Sequence, residues 1–349
     1  MNQDIVTVGI ASFGMSGRIF HAPLLAHHTG FQIARIVERS KREATALYPS
    51  IAVSRSFDDL LSDHSIDVVI VNTPDATHEI YARKCLEAGK HVVVEKPFTQ
   101  TIQQGKGLIE LARQKGKILT VFQNRRWDGD FLTVRKILDE KLLGDLVDYE
   151  AHFDRFKNSV QLESWKEQAS AGAGVLFNLG SHMIDQALAL FGMPTAVSGF
   201  VKTMRSGAEV DDWYDIRMHY PSVNVNVKSS LLVKEPGPRY LLHGTKGSFL
   251  KWGLDPQEEA LKAGGDPTSS EWGREPEEWW GTLNTEIDGK NILKKFPTLP
   301  GNYLTFYDNL YKAIVYKKPL AVPAEEALNV IRIIEAVRIS SREGRTVSL

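Results

Sequence analysis

Cysteine is nearly absent from this 349-residue chain, with Cys85 the single copy. One thiol rules out a disulfide framework and a cysteine-based zinc site, and no other metal-ligand pattern takes its place. Charge of one sign is missing too. The 43 acidic and 42 basic residues leave a net charge of −1, which argues against a polybasic nucleic-acid binder or an acidic tail. No run of about 18 apolar residues occurs, so no membrane span is expected. The opening MNQDIVTVGIASFG has no basic n-region and reads as a first strand rather than a signal peptide. A cytoplasmic setting is expected. Internal repeats, low-complexity tracts and Pro/Gly/Ser-rich linkers are also absent. What remains is average globular material, 42% hydrophobic and 24% charged, long enough for about two domains.

The first third alternates apolar runs with amphipathic stretches. Ile5–Ile10, Phe31–Val37, Asp67–Asn72, His91–Val94 and Ile118–Phe122 are short and rich in β-branched residues, as buried parallel strands are. Residues Thr77 to Ala88 and Ile102 to Lys115 read as helices, closed by Gly89 and Gly116. Strand–helix–strand repetition predicts an α/β fold with a doubly wound parallel sheet, its ligand crevice at the carboxyl ends of the strands. After Phe122 the sequence becomes polar and aromatic, which divides the chain into 1–122 and 123–349. In the second part Val223–Lys228 alternates strictly, and Tyr149, Ala151 and Phe153 mark another half-solvated strand. Tyr240–His243 and Ser248–Trp252 flank a hairpin turn at residues 244–247. Tyr303, Phe306, Tyr307, Leu310 and Ile314 recur at helical spacing, as do Leu328, Ile331, Ile334 and Val337; both stripes are core faces. Residues 264–282 hold Trp272, Trp279 and Trp280 and read as one long ordered loop or hairpin.

The first strand runs into Ser12-Phe13-Gly14-Met15-Ser16-Gly17 and then a helix-like segment. This is the place of the G-x-G-x-x-G turn, with Ser12 where the first glycine belongs. Gly14 lets a pyrophosphate approach the backbone, and Gly17 lets the helix pack against the strand. Ser12 has to make the tight turn without glycine's freedom at positive φ. About 20 residues on, Glu38 ends the second strand, where a carboxylate accepts from ribose hydroxyls and favours NAD. Arg39 follows and suits a 2′-phosphate or the adenine face. The balance leans slightly to NAD, and the cofactor expected is NAD or NADP.

The fourth strand ends in Asn72-Thr73-Pro74-Asp75-Ala76-Thr77-His78, the fifth in Glu95-Lys96-Pro97. A partly desolvated lysine at a strand tip beside a cofactor can exchange protons with a substrate hydroxyl. The glycine turn, "TPDATH", "AGKHVVVEKPF" and "GSHMIDQALALFG" together closely resemble the Gfo/Idh/MocA oxidoreductase family. "FHAPLL", "NRRWDGDFLT", "HFDRF", "HGTKGSFLKWGLDPQEEAL" and "NVIRIIEA" extend the resemblance over essentially the whole chain, most like the NADP-dependent scyllo-inositol dehydrogenase branch.

The resemblance implies a Rossmann domain followed by an α/β domain with a large, open, mostly antiparallel sheet. It implies hydride transfer between a nicotinamide and a secondary hydroxyl of a cyclic polyol or sugar. It gives Lys96 as the hydrogen-bond donor to the reacting hydroxyl. It gives His182 as the proton-exchanging residue of a D-x-x-x-H motif whose carboxylate position holds Asn178. Asp185 is a weaker candidate to orient the imidazole. Thr73, Pro74, Asp75, His78 and Glu95 are expected on the cofactor side. Arg125, Arg126, Trp127, Asp154 and Trp165 are expected to line the substrate pocket. Adjacent arginines on an extended chain point opposite ways, so one of Arg125 and Arg126 is expected to face substrate. A homodimer or homotetramer through the C-terminal sheet is expected. An imine or biliverdin-like substrate on the same fold, and a non-catalytic dinucleotide-bound sensor, are the competing readings.

Overall fold

The computed structural model describes residues 4–161, 167–168 and 172–349. The chain forms two compact units, each assembled from three stretches. The first is Met1–Trp127, Gln257–Trp272 and Asn302–Leu328; the second is Asp128–Pro256, Gly273–Gly301 and Asn329–Leu349.

The first unit holds a six-stranded sheet in the order β3-β2-β1-β4-β5-β6. Its strands are β1 (Val6–Ile10), β2 (Phe31–Val37), β3 (Ala52–Ser54), β4 (Val68–Val71), β5 (His91–Val94) and β6 (Leu119–Val121). All pairs are parallel. The β-branched run of β4 is wholly buried, as a strand covered on both faces requires. Strand order reverses between β1 and β4, which places the crevice at their carboxyl ends. The helix Ile102–Lys115 starts with a capping box, Thr101 with Gln104, and stops at Gly116, φ 61°. That left-handed position is one glycine reaches without a Cβ penalty.

A break at residue 122 accounts for only part of this unit. The aromatic stripe of helix Leu304–Tyr316 belongs to the first unit's core. Phe306 packs edge-on to Phe122 with ring centroids 4.9 Å apart, and Tyr307 and Tyr311 pack on Phe31. Each such buried ring contributes about 1.5–3 kcal/mol, which outweighs distance along the chain. Gln257 ties the three stretches together. Its Oε1 accepts from Trp272 Nε1 at 3.0 Å and from the Tyr303 amide at 2.8 Å, and its Nε2 donates to the Trp127 carbonyl at 3.1 Å.

The second unit holds nine strands: β7 (Leu146–His152), β8 (Ala196–Lys202), β9 (Trp213–His219), β10 (Asn224–Ser230), β11 (Tyr240–Gly244), β12 (Gly247–Lys251), β13 (Gly281–Ile287), β14 (Lys290–Phe296) and β15 (Val347–Ser348). Their order is β14-β13-β12-β11-β7-β10-β9-β8-β15. Only β7 and β10 pair in parallel; the other pairs are antiparallel. Tyr149, Ala151, Val225 and Val227 face the core, while Asp148, Glu150, Asn226 and Lys228 alternate onto the other face. The tryptophans of 264–282 do not share one loop. Trp272 is buried in the first unit, and Trp279 and Trp280 lie in the second, where Trp279 is exposed. No helix among the described residues is long and apolar enough to cross a membrane.

Candidate active site

The turn after β1 is built to admit a bulky anion. A Cβ on Gly14 would meet only Ser12 Oγ, at 3.5 Å, so the backbone there is open to a bound group. A Cβ on Gly17 would strike the Ser12 carbonyl oxygen at 2.3 Å, so glycine is what lets the following segment lie against the turn. Ser12 makes the turn without entering the positive-φ region, and its hydroxyl accepts from the Gly14 amide at 3.3 Å. The expected strain therefore does not arise, and the side chain braces the loop. Met15 is exposed and Ser16 half-buried. Phe13 departs from expectation. Its ring is buried in the hydrophobic core, edge-on to Tyr48 at 6.2 Å, so only its backbone belongs to the turn. Asn72, which the sequence reading passed over as a site residue, holds the turn from β4. Its Nδ2 donates to the Ser12 carbonyl at 2.8 Å. An asparagine directly after a buried strand and opposite the glycine turn was the available signal.

Glu38 also departs from expectation. It is 5% exposed. Its carboxylate accepts from the amides of Glu43 at 2.9 Å and Ala44 at 3.3 Å, at the start of helix Glu43–Leu47. An anion at the first turn of a helix satisfies donors that otherwise lack partners, and this pull turns the carboxylate onto the chain. Arg39 beside it is exposed. Glu38→Ser is therefore expected to change the NADP/NAD affinity ratio by less than about threefold and to cost about 1 kcal/mol of stability through the lost cap. Calorimetric titration with both cofactors checks this, and a tenfold-scale shift toward NADP would show that the carboxylate reads the ribose.

At the neighbouring tips, Asp75 accepts from Gln100 Nε2 at 3.3 Å, and Thr77 Oγ1 donates to Thr73 Oγ1 at 2.7 Å. Pro74 is exposed. Glu95 carries the local charge. One oxygen lies 3.0 Å from His21 Nε2, and the other accepts from the Lys96 amide at 2.9 Å. His21 Nδ1 lies 2.6 Å from the Tyr307 hydroxyl. Burial alone would raise the Glu95 carboxyl. The His21 hydrogen bond and the charges of His21, Lys96 and His78 overcome it and hold the carboxyl below its ordinary value. Glu95 thus anchors the backbone of Lys96 rather than standing free toward a cofactor. His21 was visible in "FHAPLL", but nothing local revealed its partner 74 residues away.

Arg125, Arg126 and Trp127 sit in a 3₁₀ turn, Asn124–Trp127, not an extended chain. The premise that one arginine must face away fails with it. Both are buried and ion-paired, Arg125 with Glu258 at 2.6 Å and Arg126 with Glu326 at 2.7 Å. Burial raises Glu258, but the charge of Arg125 and the contacts of Lys262 outweigh it and bring the carboxyl to about 2. Trp127 packs edge-on to Phe306 at 5.9 Å. All three are thereby engaged within the first unit, because a buried guanidinium needs an anion.

In the second unit, Asn178 lies in a π-helical turn, Leu176–Gly180, that leads into helix Ser181–Phe191. His182 follows one turn later, so the two share a helical neighbourhood. π-turns recur at functional sites. Asn178 is exposed, while His182 and Asp185 are buried at 5% and 2%. Asp154 accepts from His152 Nδ1 at 3.1 Å and from the Ser230 amide at 2.9 Å, so it is bound into the sheet. Trp165 lies outside the described residues. No group of three or more His, Cys, Asp or Glu side chains suited to a metal ion occurs among the described residues.

A parallel sheet with its order reversed between β1 and β4, and an open glycine turn after the first strand, define a dinucleotide-binding α/β protein. Residues 5–123 match the oxidoreductase family's NAD-binding Rossmann fold, and residues 135–349 its C-terminal alpha/beta domain. The chain belongs to the Gfo/Idh/MocA oxidoreductase family. It is 40% identical over 346 residues to the scyllo-inositol 2-dehydrogenase (NADP(+)) IolW of Bacillus subtilis, covering 99% of this chain and 96% of the relative. The crystal structure of an oxidoreductase from Bacteroides fragilis shares 49% identity with a TM-score of 0.92, covering 99% of this chain and 100% of that one. The oxidoreductase YvaA of Bacillus subtilis shares 40% identity with a TM-score of 0.97, over 100% of this chain and 99% of that one.

Proposed function

We propose that the protein is an NAD(P)-dependent dehydrogenase of a secondary hydroxyl on a cyclic polyol or sugar, inositol-like in shape. The observation that carries this reading is the presence of Lys96 and His182 in their family motifs, within whole-length similarity to a scyllo-inositol dehydrogenase. When bound, the nicotinamide supplies the hydride acceptor. Lys96 donates a hydrogen bond to the reacting hydroxyl, and His182 takes the hydroxyl proton in oxidation and returns it in reduction. Glu95 fixes the backbone from which Lys96 projects.

Both cofactors are accepted in this reading. The inward turn of Glu38 removes the expected obstacle to a 2′-phosphate, and Arg39 offers it a cation. The reading includes self-association through the second sheet. The face carrying Glu150, Asp215, Lys228 and Leu241 alternates with the core positions and is only half-buried. A panel of inositols, sugars and their ketones, run with each cofactor and followed by absorbance of reduced nicotinamide, tests the activity. Steady turnover of a cyclic polyol is expected. Dinucleotide binding with no turnover on any alcohol or ketone would favour the sensor instead.

A further inference from the structure

His78 opens the helix His78–Glu87, yet its ring serves a different purpose from capping. Nε2 lies 2.9 Å from the carbonyl oxygen of Thr73, and Nδ1 lies 2.8 Å from that of Pro97. The residue is 1% exposed. A carbonyl oxygen accepts and never donates, so each contact needs a ring N–H. Thr73 stands just past β4, and Pro97 just past β5, next to Lys96. The parallel ladder between these strands ends where the Glu95 amide donates to the Val71 carbonyl at 2.9 Å. Beyond that bond the His78 ring joins the two backbones again.

We propose that His78 is a positioning residue that clasps the Thr73-Pro74 tip to the Glu95-Lys96-Pro97 tip and fixes Lys96 at the mouth of the crevice. The proposal rests on the reading of Lys96 as the donor to the reacting hydroxyl. Lys96 is then held from two sides: its amide by Glu95, which is itself fixed by His21, and its following residue by His78. The two bonds of the clasp have separate uses. The bond to Thr73 shapes the turn on the cofactor side, and the bond to Pro97 sets the lysine. Glu95 and Lys96 lie on the tip that His78 holds, with His21 behind Glu95. Asp75 lies in the turn before the helix, bound to Gln100. Glu79, next on the helix, is paired with Arg83 at 2.6 Å.

Asparagine places an amide N–H near the position of Nδ1, and glutamine near that of Nε2. His78→Asn keeps the Pro97 bond and loses the Thr73 bond; His78→Gln does the reverse. His78→Gln is expected to lower kcat about tenfold, with dinucleotide Kd within about twofold. His78→Asn is expected to raise dinucleotide Kd about fivefold, with kcat within about threefold. Variants that change kcat and Kd in the same proportion, or change neither, would overturn the clasp. The Kd arm is read by calorimetry and does not depend on turnover. Failure of the dehydrogenase reading, seen as no turnover of any alcohol or ketone by the native protein, and failure of the Lys96 assignment, seen as full turnover in Lys96→Met, are therefore each distinguishable from failure of the clasp. Should the variants not fold, NMR of the native cofactor-bound protein decides. A His78 ring N–H protected from solvent exchange by a hydrogen bond to the Thr73 or Pro97 carbonyl is expected. A His78 ring whose N–H exchanges freely with solvent in the folded protein would overturn the proposal.

Discussion

Lys96→Met is expected to lower kcat by about 10²–10⁴-fold, the range for removing a positioned proton-transfer or polarising group. Dinucleotide Kd should stay within about threefold. Methionine keeps the length and apolar stem of lysine and removes the ammonium. The turn itself is anchored through backbone groups, the Lys96 amide on Glu95 and the Pro97 carbonyl on His78. Both anchors are made through backbone groups that the methionine variant keeps. The measurement is steady-state reduction of NAD(P) with the most active polyol of the panel, beside calorimetry and a thermal scan. A variant with native kcat and only a raised KM would show that Lys96 holds substrate without taking part in the transition state.

The parts of this molecule that were legible in sequence are those whose cause is local. The β-branched runs of β1, β4 and β5 fall as read, because burial on both faces leaves a continuous apolar signature. Helix Ile102–Lys115 ends as read, because Gly116 suits a left-handed cap. The alternation at 149–153 and 223–228 fixes which face of the second sheet is buried. What escaped was set by partners far along the chain. Nothing near Phe306 says that its ring belongs on Phe122 and not in the C-terminal sheet. Nothing near Arg125 discloses Glu258, and an arginine pair read as extended turned out to occupy a 3₁₀ turn with both charges matched. Glu38 has a contact of a subtler kind. Its strand-end position suits a ribose-binding acid, but the helix starting five residues later presents amides that compete for the same carboxylate. At Ser12 a missing glycine suggested strain, whereas the chain makes that turn at ordinary φ.

His182→Asn is expected to lower kcat about 10²–10⁴-fold and to flatten its pH dependence, because asparagine keeps a hydrogen-bonding side chain but has no proton to exchange. Asn178 makes the same argument testable in the opposite direction. The family motif has a carboxylate at this position, one helical turn before the histidine; here a neutral amide stands there, exposed on the π-turn. A carboxylate one turn away favours the protonated ring and raises its proton affinity. Solvent at residue 178 screens that effect, so Asn178→Asp should move the kinetic profile by about half a pH unit to one unit, not several. The sign follows from the direction of the reaction. Oxidation needs the unprotonated ring to accept the hydroxyl proton, so its rising limb should move to higher pH. Reduction needs the protonated ring as donor, so its falling limb should move up with it. Profiles of kcat in both directions, with native protein and both variants on one substrate, make the comparison. Should Asn178→Asp leave both limbs in place while His182→Asn abolishes them, the histidine exchanges the proton and residue 178 does not act on its ring. Should His182→Asn retain the native profile, proton exchange belongs to another group, and the assignment of His182 fails.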